Sequence, residues 1–239
     1  MWSCCDSSHG IGSRRGDTSH RLACPVLCPR DCQNDGMSQL PQDLPVDAAV
    51  LEAKRALRTR MRARRHARPA GAVAAEREGW TAGAAAVTAL APGARCVASY
   101  LPAPGEPDPL GAMHAWHGAG MRVMVPVSGS RRSLRWVVWT PDTPVRTGTL
   151  VPVPEPVDAP PADPAEIDLV VVPALAVAAD GRRLGQGGGY YDTFLARRAV
   201  PTVACIRDEE LLEAVPWDAW DAVLHAAWTP KGVEPLPRT

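Results

Sequence analysis

Apolar and polar positions change their period several times along the chain, and each change marks an element. Between Val46 and Arg68 the apolar residues Ala49, Val50, Ala53, Ala56, Leu57 and Met61 recur at helical spacing. Asp47 stands where an N-cap is wanted, and Pro69 and Gly71 end the run. The other face of this helix is basic, with Lys54, Arg55, Arg58, Arg60, Arg62, Arg64, Arg65 and Arg68. A second helix is predicted over 72–90, stopped by Pro92-Gly93.

Beyond it the period shortens. Residues 96–101 (CVASYL), 122–127 (RVMVPV) and 134–140 (LRWVVWT) read as strands, and 108–119 as a short helix. Residues 141–166 are rich in proline, including Pro152, Pro154 and Pro156, and read as a long surface connection. Residues 168–173 (DLVVVP) form a continuous β-branched run, the pattern of a strand buried on both faces of a parallel sheet. A glycine-rich loop at 181–189 follows, then a helix at 190–198, a strand at 202–206, a helix at 208–214 and a last strand at 222–226. Strands alternating with helices predict an α/β fold: a three-layer, mostly parallel, Rossmann-like sheet with helices on both faces. The tryptophans Trp116, Trp136, Trp139, Trp217, Trp220 and Trp228 are assigned to its core.

Composition narrows the class. With 239 residues, 46% hydrophobic and 22% charged, the chain is an ordinary globular one, long enough to bury a core without staples. Lys+Arg and Asp+Glu are both 26, and a net charge of zero argues against a protein that coats nucleic acid or an anionic membrane. The longest apolar stretch, Leu169–Ala179, is broken by Pro173 and is far short of the roughly 20 residues of a spanning helix. Residues 1–16 carry cysteines, a histidine and charges where a secretory leader would be apolar, so the cytoplasm is the default location. Residues 1–46 read as a disordered or non-native N-terminal extension, with Met37 as an alternative start. Residues 47–232 read as a single α/β domain and 233–239 as a C-terminal tail. Five of the seven cysteines lie in that extension; Cys24, Cys28 and Cys32 are spaced by four, without a Cys-x-x-Cys pair or a matching histidine, and do not read as a metal site.

The chemistry concentrates in residues 180–192, DGRRLGQGGGYYD, which follow the most buried strand and open a helix. Gly185, Gly187, Gly188 and Gly189 permit positive φ and close backbone approach, and successive N–H groups in such a loop form an anion cradle. It lies beyond the carboxyl end of a strand, where open α/β sheets bind ligands. Neither Gly-Lys-Ser/Thr nor G-x-G-x-x-G is present, so it is neither a Walker loop nor a dinucleotide loop. Arg182 or Arg183 adds charge, and Asp192 either caps the helix or holds Mg²⁺ against nucleotide phosphates. No Ser/His/Asp or Cys/His triad stands at convincing spacing.

RRLGQGGGYYDTFL resembles the signature of the 5-formyltetrahydrofolate cyclo-ligase (5,10-methenyltetrahydrofolate synthetase) family, Arg-Leu-Gly-Arg-Gly-x-Gly-Tyr-Tyr-Asp. Three weaker blocks fall in the family's order: Ala53–Arg58 (AKRALR), Tyr100-Leu101 followed by Glu106-Pro107-Asp108, and PVPEPV at 152–157. The likeness covers roughly residues 48–230. It implies ATP-dependent closure of 5-formyltetrahydrofolate to 5,10-methenyltetrahydrofolate, with ATP and Mg²⁺ and no nucleic-acid or membrane partner; a monomer is expected. Carried over by position, Lys54, Arg58, Arg183, Leu184, Gly185, Gln186, Gly187, Gly188, Gly189, Tyr190 and Tyr191 bind ATP. Lys54, Arg183 and Gln186 are the catalytic set. Tyr100, Leu101, Glu106 and Tyr191 line the folate site, and Asp192 and Asp218 hold the metal. Read without the family, the basic helix face is better taken as a solvated one and Glu106 as an exposed loop acid. Three positions depart from the pattern: Gln186 replaces the usual arginine, Val177 the usual aromatic, and Asp218 and Asp221 are three apart where four is expected. These departures leave two alternatives, a non-catalytic nucleotide- or folate-binding relative and another ATP-dependent ligase on the same scaffold. RNA binding through the arginine face is a third, disfavoured by the neutral charge.

Overall fold

The computed structural model describes residues 47–237. In chain order the elements are α1 (Ala48–His66), α2 (Ala70–Ala82), α3 (Ala84–Thr88), β1 (Cys96–Ala98), α4 (Leu110–Gly118), β2 (Arg122–Ser128) and β3 (Leu134–Trp139). There follow β4 (Val145–Thr147), β5 (Pro154–Pro156), β6 (Leu169–Pro173), β7 (Ala176–Ala178), β8 (Arg183–Leu184) and α5 (Tyr190–Leu195). The last four are β9 (Thr202–Cys205), β10 (Leu211–Leu212), β11 (Ala226–Thr229) and β12 (Gly232–Pro235).

Seven strands make the main sheet in the order β12-β11-β9-β6-β1-β2-β3. The five inner strands run parallel, and β3 and β12 close the edges antiparallel. Because side chains alternate along a strand, one buried run serves two cores. Val97, Val171 and Val203 face α2–α4, where Trp80, Met113 and Trp116 cover them. Ala98, Val170, Val172 and Ala204 face the other way, toward Leu195 and Phe194 of α5. Each of the valines removed from water contributes about 1.5–3 kcal/mol, so substituting a charge at Val171 would strike the centre of the fold. Helix α1 is capped as expected, Asp47 accepting from Ala49 N at 2.8 Å. It sets Leu57 and Met61 on a small second sheet, β10-β7-β8, against Leu175, Ala178 and Leu184. No helix among the described residues is long and apolar enough to cross a membrane.

Several expectations need correction. The helix expected over 72–90 is two, α2 and α3, divided at Gly83. A side chain at Gly83 would meet the Trp228 indole nitrogen at 2.5 Å, so glycine admits the tryptophan there. The proline-rich connection contains a hairpin, β4–β5, with Glu155 buried. The helix from Tyr190 stops at Leu195. Residues 208–214 hold one 3₁₀ turn and then β10, because Leu211 and Leu212 pair with Val177 and Ala178. The last strands are 226–229 and 232–235 instead of 222–226, with β12 extending the sheet into the expected tail. Trp217 and Trp220 are exposed, whereas the other four named tryptophans are buried. The expected extension at 1–46 lies outside the described residues.

Strand order fixes where a ligand fits. From β1 the sheet grows to one side through β2 and β3 and to the other through β6, β9 and β11. The carboxyl ends of β1 and β6 therefore flank a topological switch point, the usual crevice of open α/β sheets. Two segments leave those ends: residues 99–108, carrying Glu106, and residues 174–189, carrying the glycines.

Candidate active site

The glycine loop takes the conformations its composition allows. Gly187 has φ +107° and Gly189 φ +72°, which a side chain would strain. Arg58 of α1 reaches the loop, its Nε donating to Gly185 O at 2.9 Å. Burial, and next the neighbouring Arg62, lower the Arg58 pKa, opposed by Asp221 and Asp192. A partly desolvated guanidinium with only a backbone partner is suited to an incoming anion.

Arg182, just before strand β8, and Arg183, its first residue, meet different partners. Arg182 pairs with Asp180 and lies over the Trp217 ring, 3.7 Å from its centroid. Arg183 is buried in the site: its Nη2 donates to Asp192 Oδ1 at 2.7 Å, while its Nε has no partner among the described residues. Asp192 Oδ1 also accepts from Ala222 N at 3.3 Å. The Tyr191 hydroxyl is likewise buried without a partner, and burial pushes its pKa up, so it stays a proton donor. Unsatisfied buried donors cost about 1–3 kcal/mol each and call for a polar ligand.

Lys54 does not stand free. Its Nζ meets Asp218 Oδ2 and Asp221 Oδ2, each at 2.5 Å, and Asp221 Oδ2 also accepts from Asp218 N. One cation against two carboxylates leaves a negative charge in excess beside the cradle. The resemblance pointed to Asp218, three residues before Asp221; the fold brings both aspartates to the same ammonium.

Across the crevice, Gln186 joins the two loops. Its Oε1 accepts from Arg62 Nε at 3.2 Å and Nη2 at 3.0 Å, and its Nε2 donates to Glu106 Oε1 at 3.0 Å. Glu106 Oε2 accepts from Ala103 N at 3.1 Å. Arg62, Arg65, His66, Gly105, Glu106 and Gln186 border a cavity of about 170 Å³. Tyr100 and Leu101 do not line it; both are buried in the core beneath α2–α4, and the Tyr100 hydroxyl donates to Pro107 O at 2.8 Å, bracing the Glu106 loop. Leu184 is in the core of the small sheet, and Tyr190 opens α5. Arg62 is a site residue that the sequence reading passed over. Its signal was register: 54, 58 and 62 are successive i+4 positions on one face.

The family model of 5-formyltetrahydrofolate cyclo-ligases matches residues 50–230. The chain belongs to this family. A 5-formyltetrahydrofolate cyclo-ligase of Mycolicibacterium smegmatis is 34% identical over 144 residues, covering 57% of this chain and 74% of that one. The mitochondrial cyclo-ligase of Arabidopsis thaliana is 42% identical over 82 residues, covering 29% of this chain and 30% of that one. The fold is that of two solved 5,10-methenyltetrahydrofolate synthetases. The Aquifex aeolicus structure aligns with TM-score 0.62 at 24% identity, covering 78% of this chain and 94% of that one. The Mycoplasma pneumoniae structure gives 0.60 at 19%, covering 74% and 98%. As a cyclo-ligase family enzyme, the protein uses ATP.

Proposed function

We propose that the protein converts 5-formyltetrahydrofolate to 5,10-methenyltetrahydrofolate, using ATP and releasing ADP and phosphate. The observation that carries this reading is the convergence, at the switch point, of a glycine cradle flanked by Arg58 and Arg183 with the carboxylate of Glu106. Nucleotide phosphates and a folate ring offering N–H donors need those two surfaces side by side.

The formyl oxygen on N5 attacks the γ-phosphorus, and the bond from that phosphorus to the β-bridging oxygen breaks, releasing ADP. The resulting N5-iminium phosphate is attacked at its carbon by N10. The carbon–oxygen bond breaks, phosphate leaves, and the N10 proton is lost. Phosphoryl transfer asks a protein mostly for positioning and charge neutralisation. Gly185–Gly189 N–H groups and Tyr190 hold the triphosphate, with Arg58 and Arg183 supplying charge and Lys54 holding the Asp218 and Asp221 carboxylates in place. Gln186 positions the transferring group and Glu106 accepts from the pterin. Tyr191 donates from between the two ligands.

Mg²⁺ fits the donor set by chemistry. No group of three or more His, Cys, Asp or Glu side chains gathers as a metal site among the described residues. Mg²⁺ asks for less, one or two carboxylates plus phosphate oxygens and water. Asp192 and Asp218, with Asp221 beside it, supply those carboxylates, and the charge in excess of Lys54 favours a cation. Bound there, Mg²⁺ would neutralise phosphate charge.

The test is turnover of the full chain with 5-formyltetrahydrofolate, ATP and Mg²⁺, followed by the near-ultraviolet absorbance of the methenyl product. ATP-dependent product that falls at least about a hundredfold in Asp192→Ala is the expected result. A folded protein that binds ATP and forms no product would instead be a non-catalytic relative or another ligase.

A further inference from the structure

We infer that Arg132, on the turn between β2 and β3, is an additional nucleotide-binding residue that closes the glycine cradle over the distal phosphates of ATP. The identity of the anion rests on the cyclo-ligase reading; the position of the cation does not.

The turn runs from Gly129 to Ser133. Arg131 and Arg132 have φ of 53° and 59°, two successive non-glycine residues in the left-handed region. Such backbone is unfavourable for L side chains and persists only where its surroundings impose it. Here they do. Gly129 N donates to Ser133 O at 2.9 Å, and Ser133 Oγ donates to Ser130 O at 2.8 Å, closing the turn. At its base the buried Glu155 accepts from Ser128 N at 2.8 Å, so the proline-flanked strand β5 holds the hairpin from below. On β3, Trp136 packs on Phe194 of α5, ring centroids 4.9 Å apart, which ties the hairpin to the element following the glycine loop.

These constraints deliver Arg132 to Gly189. A methyl group on Gly189 would lie 3.3 Å from Arg132 Cδ and 3.4 Å from its Nη1. At the other end of the loop, a methyl on Gly187 would lie 3.4 Å from Arg58 Cζ. Two guanidiniums from different elements thus flank one short glycine run. They differ in occupation. Arg58 already donates to Gly185 O, whereas no hydrogen bond or ion pair to a described residue holds Arg132. A free, exposed arginine against a loop of backbone N–H groups matches phosphate, which takes a guanidinium fork in two parallel bonds. Folate's carboxylates are the less suitable partner. The Glu106 contact and its cavity lie at Gln186, three residues back along the loop.

The test uses full-length Arg132→Ala, Arg132→Gly and Arg132→Lys. It measures KM for ATP, KM for 5-formyltetrahydrofolate, equilibrium ATP binding and Tm. Arg132→Ala and Arg132→Gly should raise KM and Kd for ATP about tenfold, the weight of one charge-assisted contact, with KM for folate within about twofold. Arg132→Lys should restore part of the loss. Arg132→Gly should keep or raise Tm, because glycine adopts this φ without strain. A purely structural turn residue would move Tm and leave the ATP parameters alone. Wild-type ATP affinity in Arg132→Ala would overturn the inference, as would a loss confined to KM for folate. If the unaltered protein binds ATP yet makes no product, the cyclo-ligase reading fails, and the ATP titration still decides the role of Arg132.

Discussion

Lys54, Arg58 and Arg62 follow one another at i+4 along α1, and Arg65 in its last turn and Arg68 just beyond it follow at i+3. The two groups meet different partners. Arg58 and Arg62 donate to neutral oxygens of the glycine loop, at Gly185 and Gln186. Arg65 is buried in a two-pronged bond to Glu210, Nε–Oε1 2.7 Å and Nη2–Oε2 2.8 Å, and also donates to Ala174 O. Arg68 pairs with Glu76 and Glu209, and Arg207 with Glu76 and Glu210. Arg65, Arg68 and Arg207 therefore balance Glu76, Glu209 and Glu210 in one network joining α1, α2 and the turn after β9. The charge of Arg58 and Arg62 is left available to a ligand, Lys54 being held by Asp218 and Asp221, and the charge of Arg65 and Arg68 is consumed by the fold. What separates them is the partner each meets. Residue type is shared.

The largest effect should come from exchanging roles across that divide. Arg65→Ala leaves Glu210, which is 2% exposed, without its main cation. Breaking a buried pair from one side costs about 3–5 kcal/mol. In a domain of this size that lowers Tm on the order of 10 °C. Arg58→Ala should leave Tm nearly unchanged and lower kcat/KM for ATP about a hundredfold, because its charge acts on the transferring phosphate. Thermal melts beside steady-state kinetics check both. An Arg65→Ala protein that melts normally but fails in turnover would break the comparison.

The same division explains what the sequence made legible. Strands β2, β6 and β9 and helix α1 are long enough for their burial to be written as local periodicity, and they fall close to where they were expected. Strands β7, β8 and β10 are two or three residues each and exist only through pairing with distant segments, Leu211 with Val177 and Arg183 with Val177. A local window over 208–214 sees Leu211, Leu212 and Ala214 and reads helix. The Ala-rich β11 takes its register from β9, so reading it alone set it four residues early. In the site, the glycines, Arg183 and Asp192 are contiguous and legible as a motif. Arg62, Asp221 and Arg132 are not, because an arginine on a basic helix, the second of two nearby aspartates, or an arginine in a hairpin turn acquires meaning only from what faces it.

A smaller effect probes the seam between nucleotide and folate loops. Gln186→Ala removes the acceptor of Arg62 and the donor to Glu106 together. Both contacts are exposed, and bonds of this kind carry about 0.5–1.5 kcal/mol each, so kcat/KM should fall roughly threefold to tenfold at constant Tm. A fall larger than that of Arg58→Ala would move the centre of the chemistry from the cradle to the seam.

The smallest predicted effect is also the sharpest division of the helix, because it uses screening. Arg62 is exposed, and its interaction with a bound nucleotide crosses solvent, whereas the Arg65–Glu210 pair is 7% and 2% exposed. Salt shortens the Debye length from about 10 Å at 0.1 M to about 3 Å at 1 M and weakens exposed interactions far more than buried ones. Arg62→Ala should therefore weaken ATP binding by about threefold at low salt, and the gap from the unaltered protein should close as salt rises. The Tm difference between Arg65→Ala and the unaltered protein should persist across the same range. Each comparison subtracts the unaltered protein under matched conditions, so general effects of salt on folding and on ATP cancel. If both gaps close together, the carboxylate network is as wet as the ligand face, and the distinction between the two parts of α1 is one of sequence position only.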